Sequence, residues 1–334
     1  MDFSVLIASR NRPALLRRAV QSVLDQTLDS VEVLVIDDGS HGDHAAAYRH
    51  LSLELPRRVR FLHLPQVDNG HGQSFAINFG AMSARGAYFC FLDDDDYWTD
   101  DRHLERALAC LRAEPSAETY LSNQLAYRDE VPLTGPIWLE PIEKIARARG
   151  ARAVGDALVI NIDDLVQCAN HCHFNTTIVS RSLFERVGGL DRFIRYENDR
   201  DFYLRYIDQA SAILYFPGVV SHHVVPDPSK KANASTRTTY LEKMFCRTYI
   251  YNKARLFSRN RVLREAATKQ QAYTLRNITY DLANADRARD AFAFAREALA
   301  VGFGFKWMLY CCFLGLRTLA RSAGDRHRNR EHRS

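Results

Sequence analysis

Four consecutive aspartates, Asp93 to Asp96, stand directly after an apolar run at residues 87–92. An apolar run of this length that ends abruptly in charge predicts a buried strand whose carboxyl end opens into a crevice. Adjacent carboxylates repel one another unless a cation or hydrogen-bond donors compensate them. Carboxylate oxygens suit Mg2+ or Mn2+, which bind few protein groups together with substrate phosphates. The cluster therefore predicts a metal–diphosphate site, and a solvated acidic loop is the alternative.

Two further polar clusters follow predicted strands near the start of the chain. Ser9-Arg10-Asn11-Arg12 follows the apolar run at 3–8, and Asp37-Asp38 follows the run at 31–36. The carboxyl ends of parallel strands share one edge of a sheet, and ligands bind beyond that edge. We therefore expect both clusters to meet the four aspartates in one crevice.

Strand and helix signals alternate regularly through the first hundred residues, which predicts an α/β fold with a mostly parallel sheet flanked by helices. The predicted strands are 3–8, 31–36, 59–64, 87–92 and 212–220. The predicted helices begin at Pro13 and cover 44–53, 73–84, 101–112, 183–187 and 199–207. Residues 113–160 contain four prolines and little periodicity, so we predict loops and short strands there.

The composition changes beyond Pro226, and residues 239–319 have an almost continuous helical pattern rich in Ala, Arg and aromatic residues. We predict a first domain at 1–226 and a helical C-terminal extension with a basic tail at 227–334. We expect Lys230-Lys231, Asn233 and Ser235-Thr236-Arg237 to form a loop that either closes over phosphate or is a solvated linker. An apolar helix before an arginine-rich tail fits the surface of an anionic membrane. Packing of the extension against the first domain is the alternative.

The bulk composition is that of an ordinary folded protein, with 46% hydrophobic and 25% charged residues in 334. The formal charge of +5 lies partly in the tail and calls for no nucleic-acid partner. Seven scattered cysteines do not make a disulfide scaffold, and Cys168 to His173 lacks the second half of a zinc site. No secretory signal and no run of 18 apolar residues is found, so we expect a cytoplasmic protein, peripheral on the inner face of the membrane if the extension binds lipid.

In their order and spacing these motifs resemble those of family 2 glycosyltransferases, which have the GT-A fold. The matching segments are 3–12, Val35–Ser40, Asn69-Gly70, 76–86 and Phe91–Trp98, and the resemblance covers roughly residues 1–225. It implies an inverting enzyme of the hexosyltransferase type with a nucleotide-sugar-binding half at 1–100 and an acceptor-binding half at 101–226. The implied donor is a nucleotide sugar, most commonly a UDP-sugar. The implied acceptor is a hydroxyl of a glycan or lipid-linked acceptor in cell-surface polysaccharide synthesis.

The resemblance also implies roles for single residues. Those implied to bind the nucleotide sugar are Ala8, Ser9, Asn11, Arg12, Asp37, Asp38, Asn69, Asp93 and Asp94, with Asp38 accepting from the base. The implied ligands of Mg2+ or Mn2+ are Asp95, Asp93 and His223. Adjacent strand residues point to opposite faces, so only one of His222 and His223 can serve, and we favour His223. We expect Asp96 to begin the helix that follows.

Residues 196–205 resemble the second acidic motif of the same family. Asp199 aligns with the general base, and Asn198 stands where the family usually has Glu, so Glu197 is a candidate for part of that task. An inverting transferase needs one carboxylate to accept the proton of the attacking hydroxyl. From the residues alone, an N-terminal helix cap with surface ion pairs is the alternative.

Two other functions compete with this interpretation. A catalytically inactive GT-A nucleotide-binding subunit would not need intact acidic motifs, and this chain has them. A sugar nucleotidyltransferase shares the architecture and the metal, but it predicts a glycine-rich basic loop after the first strand. The chain has Ser9-Arg10-Asn11-Arg12-Pro13 there instead.

Overall fold

The computed structural model describes residues 1–128, 131–133, 138–168, 170–227, 229 and 233–331, without the side chains of 234 and 321–331. Lys230, Lys231 and the side chains of the basic tail therefore lie outside the described residues. The chain divides into two compact units, Met1–Arg237 and Thr238–Ser334.

The first unit is built on one sheet. Its strands are β1 (Phe3–Ser9), β2 (Val31–Asp37), β3 (Val59–His63), β4 (Tyr88–Phe91), β5 (Tyr97–Trp98), β6 (Ala117–Arg128), β7 (Val131–Pro132), β8 (Ala153–Val154), β9 (Ala157–Ile160), β10 (Thr177–Ser180) and β11 (Ala212–Val224). Within the described residues their order is β3-β2-β1-β4-β10-β6-β11-β9-β8, and β5 and β7 pair with β11 and β6.

The pairing of the strands decides where their ends meet. Strand β1 runs parallel to β2 and β4, and β2 runs parallel to β3, so these four share one carboxyl edge. Strands β6 and β11 are also parallel to each other. Strand β10 lies antiparallel between β4 and β6 and joins the two parallel parts. The predicted mostly parallel sheet is thus confirmed, with an antiparallel strand that the sequence pattern did not indicate.

Helices flank this sheet. They are α1 (Pro13–Leu24), α2 (Gly42–Glu54), α3 (Gln73–Ser83), α4 (His103–Ala113), α5 (Glu140–Ala148), α6 (Ile162–Leu165), α7 (Arg181–Arg186), α8 (Asn198–Gln209) and α9 (Ala234–Arg237), with a 3-10 turn at Phe174–Thr176. The apolar residues of α1 at helical spacing, Leu16, Ala19, Val20 and Val23, are buried in the same core as those of β1 and β2. This packing fixes the positions of the loops after β1 and β2.

The prediction of loops and short strands at 113–160 is wrong for Ala117–Arg128, which forms one long strand. Strand β6 is 12 residues long, and it contains the polar residues Ser122, Asn123 and Gln124, all buried. Asn123, for example, donates to the hydroxyl of Tyr215 at 2.7 Å. Hydropathy did not indicate this strand because it contains buried polar side chains, among which Asn123 is satisfied by hydrogen bonds inside the first unit rather than by water.

The second unit is helical, with α10 (Tyr240–Phe257), α11 (Arg261–Asn284), α12 (Ala288–Val301) and α13 (Phe305–Glu331). Its core contains small alanines of α12, such as Ala291, Ala295 and Ala298, against Leu275 and Ile278 of α11. Within the described residues, no helix has both the length and the apolar character to cross a bilayer.

Candidate functional site

The carboxyl ends of β1 and β4 are joined by hydrogen bonds and ion pairs. Ser9 Oγ donates to Asp94 Oδ2 at 2.6 Å. Arg12, in the turn after β1, reaches Asp94 at 3.3 Å and Asp95 at 3.1 Å. Asn233 donates to Asp95 Oδ2 at 2.8 Å and accepts from Arg12 at 3.1 Å. Two of the three predicted strand-end clusters therefore meet.

The third cluster, after β2, meets the same edge through its second aspartate. Asp38 N donates to the carbonyl of Ser9, and the Asp38 carboxylate accepts from the backbone N–H of His71 at 2.8 Å and Gly72 at 2.9 Å. Gly70 has a φ of +66°, and a Cβ there would lie 2.5 Å from Asp38 Oδ2. Asp38 therefore anchors the loop after β3, which comes this close only because residue 70 is glycine.

Four other residues predicted to bind the nucleotide sugar surround these contacts. Ala8, near the end of β1, is partly exposed, and Asn11 holds the turn by accepting from His41 N and donating its own N–H to Ser40 Oγ. Asp37 turns away, accepting from Ser40 N and pairing with His63 at 3.0 Å. Asn69 is exposed and has a φ of +62°. The structure thus brings Ala8 and Asn11 close to the cluster and directs Asp37 elsewhere.

Burial and mutual repulsion raise the pKa values of three of the four aspartates, Asp93, Asp94 and Asp95. Burial, followed by repulsion from Asp96 and Asp95, raises the pKa of Asp93 well above its ordinary value. Burial and repulsion from Asp95 raise the pKa of Asp94 to about 7. The pKa of Asp95 is raised by burial and by repulsion from Asp96. Such shifts indicate that the ionised cluster lacks positive charge.

Asp96 does not begin a helix, so that prediction is wrong. Its side chain is fully buried, and its carboxylate accepts from Asn175 Nδ2 at 2.5 Å, from Val224 N at 2.6 Å and from His223 Nδ1 at 2.8 Å. Helix α4 begins only at His103. Burial alone would raise the pKa of Asp96, but His223 outweighs it and lowers this pKa. Asp96 is an ionised carboxylate that fixes the end of β11 to the site.

The two adjacent histidines of β11 face different surroundings. His223 pairs with Asp96, and its ring centroid lies 4.8 Å from that of His173. Burial lowers the pKa of His223, but Asp96, Asp93 and Asp95 outweigh burial and raise it to about 9. His222 instead stacks on Tyr127 with ring centroids 3.4 Å apart and contacts the hydroxyl of Tyr97.

These side chains fit a divalent cation. Asp93, Asp95 and Asp96 place one oxygen each within 4.8 Å of one another, and Asp96, His173 and His223 do so with one atom each. In the described part of the chain, Arg12 contacts the carboxylates of Asp94 and Asp95, and His223 contacts that of Asp96. Three donors already engage Asp96, the residue common to both groups. The other members, Asp93, Asp95, His173 and His223, offer oxygen and ring-nitrogen atoms of the kind that hold an ion of the Mg2+ or Mn2+ type.

Asp199 lies in the first turn of α8 and pairs with a histidine. Its Oδ2 is 2.8 Å from His171 Nε2, and its Oδ1 accepts from the backbone N–H of Arg200. Burial by itself raises the pKa of Asp199, but His171, His173 and Arg200 outweigh burial and hold the pKa far below its ordinary value. The pair presents an ionised carboxylate of fixed orientation.

The residues around Asp199 divide by role. Glu197 has a φ of +56° just before α8 and pairs with Arg200 at 2.9 Å. Asn198 donates to Gln73 Oε1 at 3.1 Å, and Gln73 donates to Asp93 Oδ1 at 2.5 Å. The asparagine that replaces the family's usual glutamate thus connects α8 to the aspartate cluster through Gln73.

The sequence assigned no role to His171, His173, Asn175 or Gln73, and it placed Asn233 only in the loop that either closes over phosphate or is a solvated linker. The two histidines belong to a zinc-like spacing that has no second half-site. Asn175 Oδ1 accepts from Asp93 N, while its carbonyl accepts from Trp98 Nε1. No periodic signal marks residues 171–176, because they reach the site by a loop and a 3-10 turn rather than by a regular element.

Comparison with known proteins agrees with this geometry. Residues 4–164 match the sequence model of glycosyl transferase family 2. These residues carry a glycosyl transferase family 2 domain. Solved structures similar to this chain include S. aureus TarS in complex with UDP-GlcNAc, with a TM-score of 0.65, 14% identity and coverage of 90% of this chain and 81% of that one. Another is the mannosyltransferase PcManGT from Pyrobaculum calidifontis in complex with GDP-Man and Mn2+, with a TM-score of 0.58, 16% identity and coverage of 94% and 84%. At such low identity both show a shared fold, the GT-A fold with additional C-terminal helices.

Among curated sequences, the chain is 28% identical over 178 residues to the succinoglycan biosynthesis protein ExoW of Rhizobium meliloti. That alignment covers 53% of this chain and 54% of ExoW. The chain spans about half the length of this relative and less of another. The comparisons thus assign the segment at 4–164 to glycosyl transferase family 2.

Proposed function

We propose that this protein is an inverting glycosyltransferase that transfers a sugar from a nucleotide sugar, with a UDP-sugar as the donor, to a hydroxyl of a glycan or lipid-linked acceptor. One observation carries the proposal. The ends of β1, β2 and β4 meet through Ser9, Asp38 and Asp94, and the Asp199–His171 pair lies in the same unit near the aspartates. A nucleotide-binding edge and an ionised carboxylate base are the two parts that such a transfer needs.

In this proposal the half formed by 1–100 binds the nucleotide, and the half formed by 101–226 presents the acceptor. Asp38, held rigidly by the backbone of residues 71 and 72, accepts from the base. Arg12 holds Asp94 and Asp95 in place next to the diphosphate. The TarS structure contains UDP-GlcNAc, which supports a uridine nucleotide.

The transfer itself has a simple balance of bonds. The acceptor hydroxyl oxygen forms a bond to the anomeric carbon, and the bond from that carbon to the β-phosphate oxygen breaks. The electron pair of the broken bond leaves with the nucleoside diphosphate. Asp199 takes the hydroxyl proton, because its carboxylate is ionised and oriented by His171. We assign no proton transfer to Glu197, because Arg200 already neutralises it.

The divalent ion belongs to the donor side of the site. When bound, Mg2+ or Mn2+ neutralises charge on the two phosphates. Asp95, Asp93 and the Nε2 nitrogen of His223 would hold it, and Asp96 keeps His223 oriented through Nδ1. The Mn2+ in the PcManGT structure supports a metal of this kind.

The acceptor is proposed from the relatives rather than from any residue. Two proteins similar to this chain are named for polysaccharides. They are ExoW and the putative teichuronic acid biosynthesis glycosyltransferase TuaG of Bacillus subtilis. A role in cell-surface polysaccharide synthesis follows, with the protein at the cytoplasmic face of the membrane where lipid-linked acceptors are exposed.

The second unit provides a surface for that membrane contact. Helix α13 exposes an apolar stripe on one face, and we call it the α13 stripe: Phe305, Leu309, Phe313, Leu316 and Leu319, each more than half exposed. The opposite face, with Trp307 and Leu314, is buried in the helical core. Residues 305–334 contain seven Lys or Arg and two Asp or Glu. An apolar stripe in a basic segment fits anionic lipid better than a second copy of the same positive segment.

The decisive experiment is a binding panel followed by a transfer assay. The full chain is titrated with UDP, GDP, dTDP and CMP, each with and without Mn2+, and thermal shifts are measured. We expect UDP to raise the melting temperature in a Mn2+-dependent way, and UDP release from a UDP-sugar to follow when acceptor is added. If no nucleotide raised the melting temperature, the proposal that the protein is a glycosyltransferase would be contradicted. Nucleotide binding without transfer for any donor would instead support an inactive binding subunit.

A further inference from the structure

His173 and His223 face the same acidic pocket, with ring centroids 4.8 Å apart. Their contacts fix them in opposite tautomers. We propose that His223 presents a bare nitrogen to the metal, whereas His173 presents an N–H and donates it to a phosphate oxygen of the nucleotide diphosphate. The inference deepens the proposed function and rests on it, because it assigns a diphosphate contact to a residue outside the resemblance.

The tautomer of His223 follows from Asp96. That carboxylate also accepts from Asn175 Nδ2 and Val224 N, and an ionised carboxylate can only accept. The contact of 2.8 Å between Asp96 Oδ2 and His223 Nδ1 therefore requires the proton on Nδ1. A cation that binds Nε2 takes the place of the proton that this nitrogen carries in the charged ring, while Nδ1 keeps its proton. A carboxylate behind a metal-bound histidine is a common arrangement.

The tautomer of His173 follows from the backbone. Its Nδ1 caps the 3-10 turn at Phe174–Thr176 by accepting from Asn175 N at 3.4 Å. A backbone N–H can only donate, so Nδ1 carries a lone pair and the ring proton sits on Nε2. Ligation of a metal through Nε2 would move that proton to Nδ1 and set two N–H groups against each other. His173 is therefore excluded from the metal ligands, although its position among Asp96 and His223 would allow it.

The N–H of His173 points at negative charge without a close protein acceptor. Its Nε2 is 3.7 Å from Asp93 Oδ2, beyond hydrogen-bond distance, and the other oxygen of Asp93, Oδ1, accepts from Gln73. The ring is largely buried, with 14% of its side chain exposed. A neutral, fixed donor next to the metal carboxylates is suited to an anionic oxygen that arrives with the substrate. A diphosphate oxygen is that group.

Two substitutions separate the functions of the His173 ring. In His173→Asn, the amide oxygen replaces Nδ1 and keeps the cap on Asn175 N, but no donor remains at the position of Nε2. In His173→Gln, the amide nitrogen replaces Nε2 and keeps the donor, but the cap is lost. His223→Asn is the matched variant for the metal, because it retains a donor to Asp96 and loses the ligand nitrogen.

The test measures metal and nucleotide binding separately on the full chain. Mn2+ binding is followed by the loss of the free-ion electron paramagnetic resonance signal, and UDP and uridine are titrated calorimetrically at saturating Mn2+. We expect His223→Asn to weaken Mn2+ binding at least about tenfold and His173→Asn to change it less than about twofold. We expect His173→Asn to weaken UDP about tenfold or more, since the lost donor faced a charged group, and to leave uridine unchanged. His173→Gln should recover most of the UDP affinity.

Each contrary result has a distinct meaning. Loss of Mn2+ affinity in His173→Asn equal to that in His223→Asn would make His173 a metal ligand and overturn the tautomer assignment. Unchanged UDP affinity in His173→Asn, or equal loss in His173→Gln, would reduce His173 to a structural cap. A wild-type chain that binds Mn2+ but no nucleoside diphosphate would contradict the proposed function instead.

Discussion

His171 Nε2 lies 2.8 Å from Asp199 Oδ2, and both side chains are almost entirely buried. The carboxylate is ionised, so the imidazole must donate through Nε2. Asp199 therefore does not act as an isolated base. Its orientation is set by His171 on one side and by the start of α8 on the other, and its charge is stabilised by the histidine at the expense of basicity.

Replacement of Asp199 by Asn removes the proposed base and preserves its shape. We expect transfer to fall by about a hundredfold to ten-thousandfold, the usual contribution of a general base, while UDP binding changes less than about twofold. Steady-state kinetics and UDP calorimetry measure the two effects. Glu185→Gln, at an exposed carboxylate on α7, is the control and should behave as wild type. Lost UDP binding in Asp199→Asn would show that Asp199 holds the donor instead.

Replacement of His171 by Leu tests what sets the pKa of Asp199. His171 is the main group that lowers the pKa of Asp199, and burial acts in the opposite direction. Without the imidazole, burial is opposed only by the weaker effects of His173 and Arg200, and the pKa of Asp199 rises. The carboxylate then becomes protonated as the pH falls, so the acidic limb of kcat/KM moves to higher pH.

The measurement is kcat/KM from pH 4.5 to 8 for wild type, His171→Leu and His171→Gln. The glutamine retains a hydrogen-bond donor at the position of Nε2 and lacks the charge, so its acidic limb should lie between the other two. Superimposable profiles for all three chains would mean that Asp199 is not the group whose ionisation limits the rate.

The sequence predicted the part of the site that regular elements position. Alternating strands place Ser9, Asp38 and Asp94 at a shared carboxyl edge, and that follows from parallel pairing alone. His171, His173 and Asn175 were not predictable in the same way. They lie in a segment without periodicity, and they reach the site because β10 returns antiparallel beside β4. The prediction that Asp96 begins a helix was wrong for a related reason, because its partners His223 and Val224 are distant in sequence.

Asp96→Asn should weaken both the fold and the metal site. The amide nitrogen would replace one oxygen and face either Val224 N or the pair of donors from Asn175 and His223, and the buried ion pair with His223 would lose its negative partner. Breaking a buried pair costs about 3–5 kcal/mol of the free energy of unfolding. Loss of the group behind a metal-bound histidine lowers metal affinity roughly 10–100-fold.

Urea denaturation and Mn2+ titration of Asp96→Asn measure these two effects, with Asp101→Asn, at an exposed aspartate five residues later, as the control. A destabilised variant with unchanged Mn2+ affinity would show that Asp96 serves the fold and does not orient a ligand.

The α13 stripe predicts binding to anionic vesicles. The full chain should cosediment with vesicles that contain phosphatidylglycerol and not with phosphatidylcholine alone, because each basic residue near the surface contributes about 1 kcal/mol only when the lipid is negative. Leu309→Asp with Leu316→Asp places two charges in the stripe and should abolish cosedimentation. Leu53→Asp, at a leucine of α2 that is 84% exposed, is the matched control. A dimer seen by light scattering in the wild type but not in the double variant would assign the stripe to contact with a second copy. Unchanged cosedimentation of the double variant would show that the stripe does not bind the membrane, because a lipid contact through this face cannot tolerate two buried carboxylates.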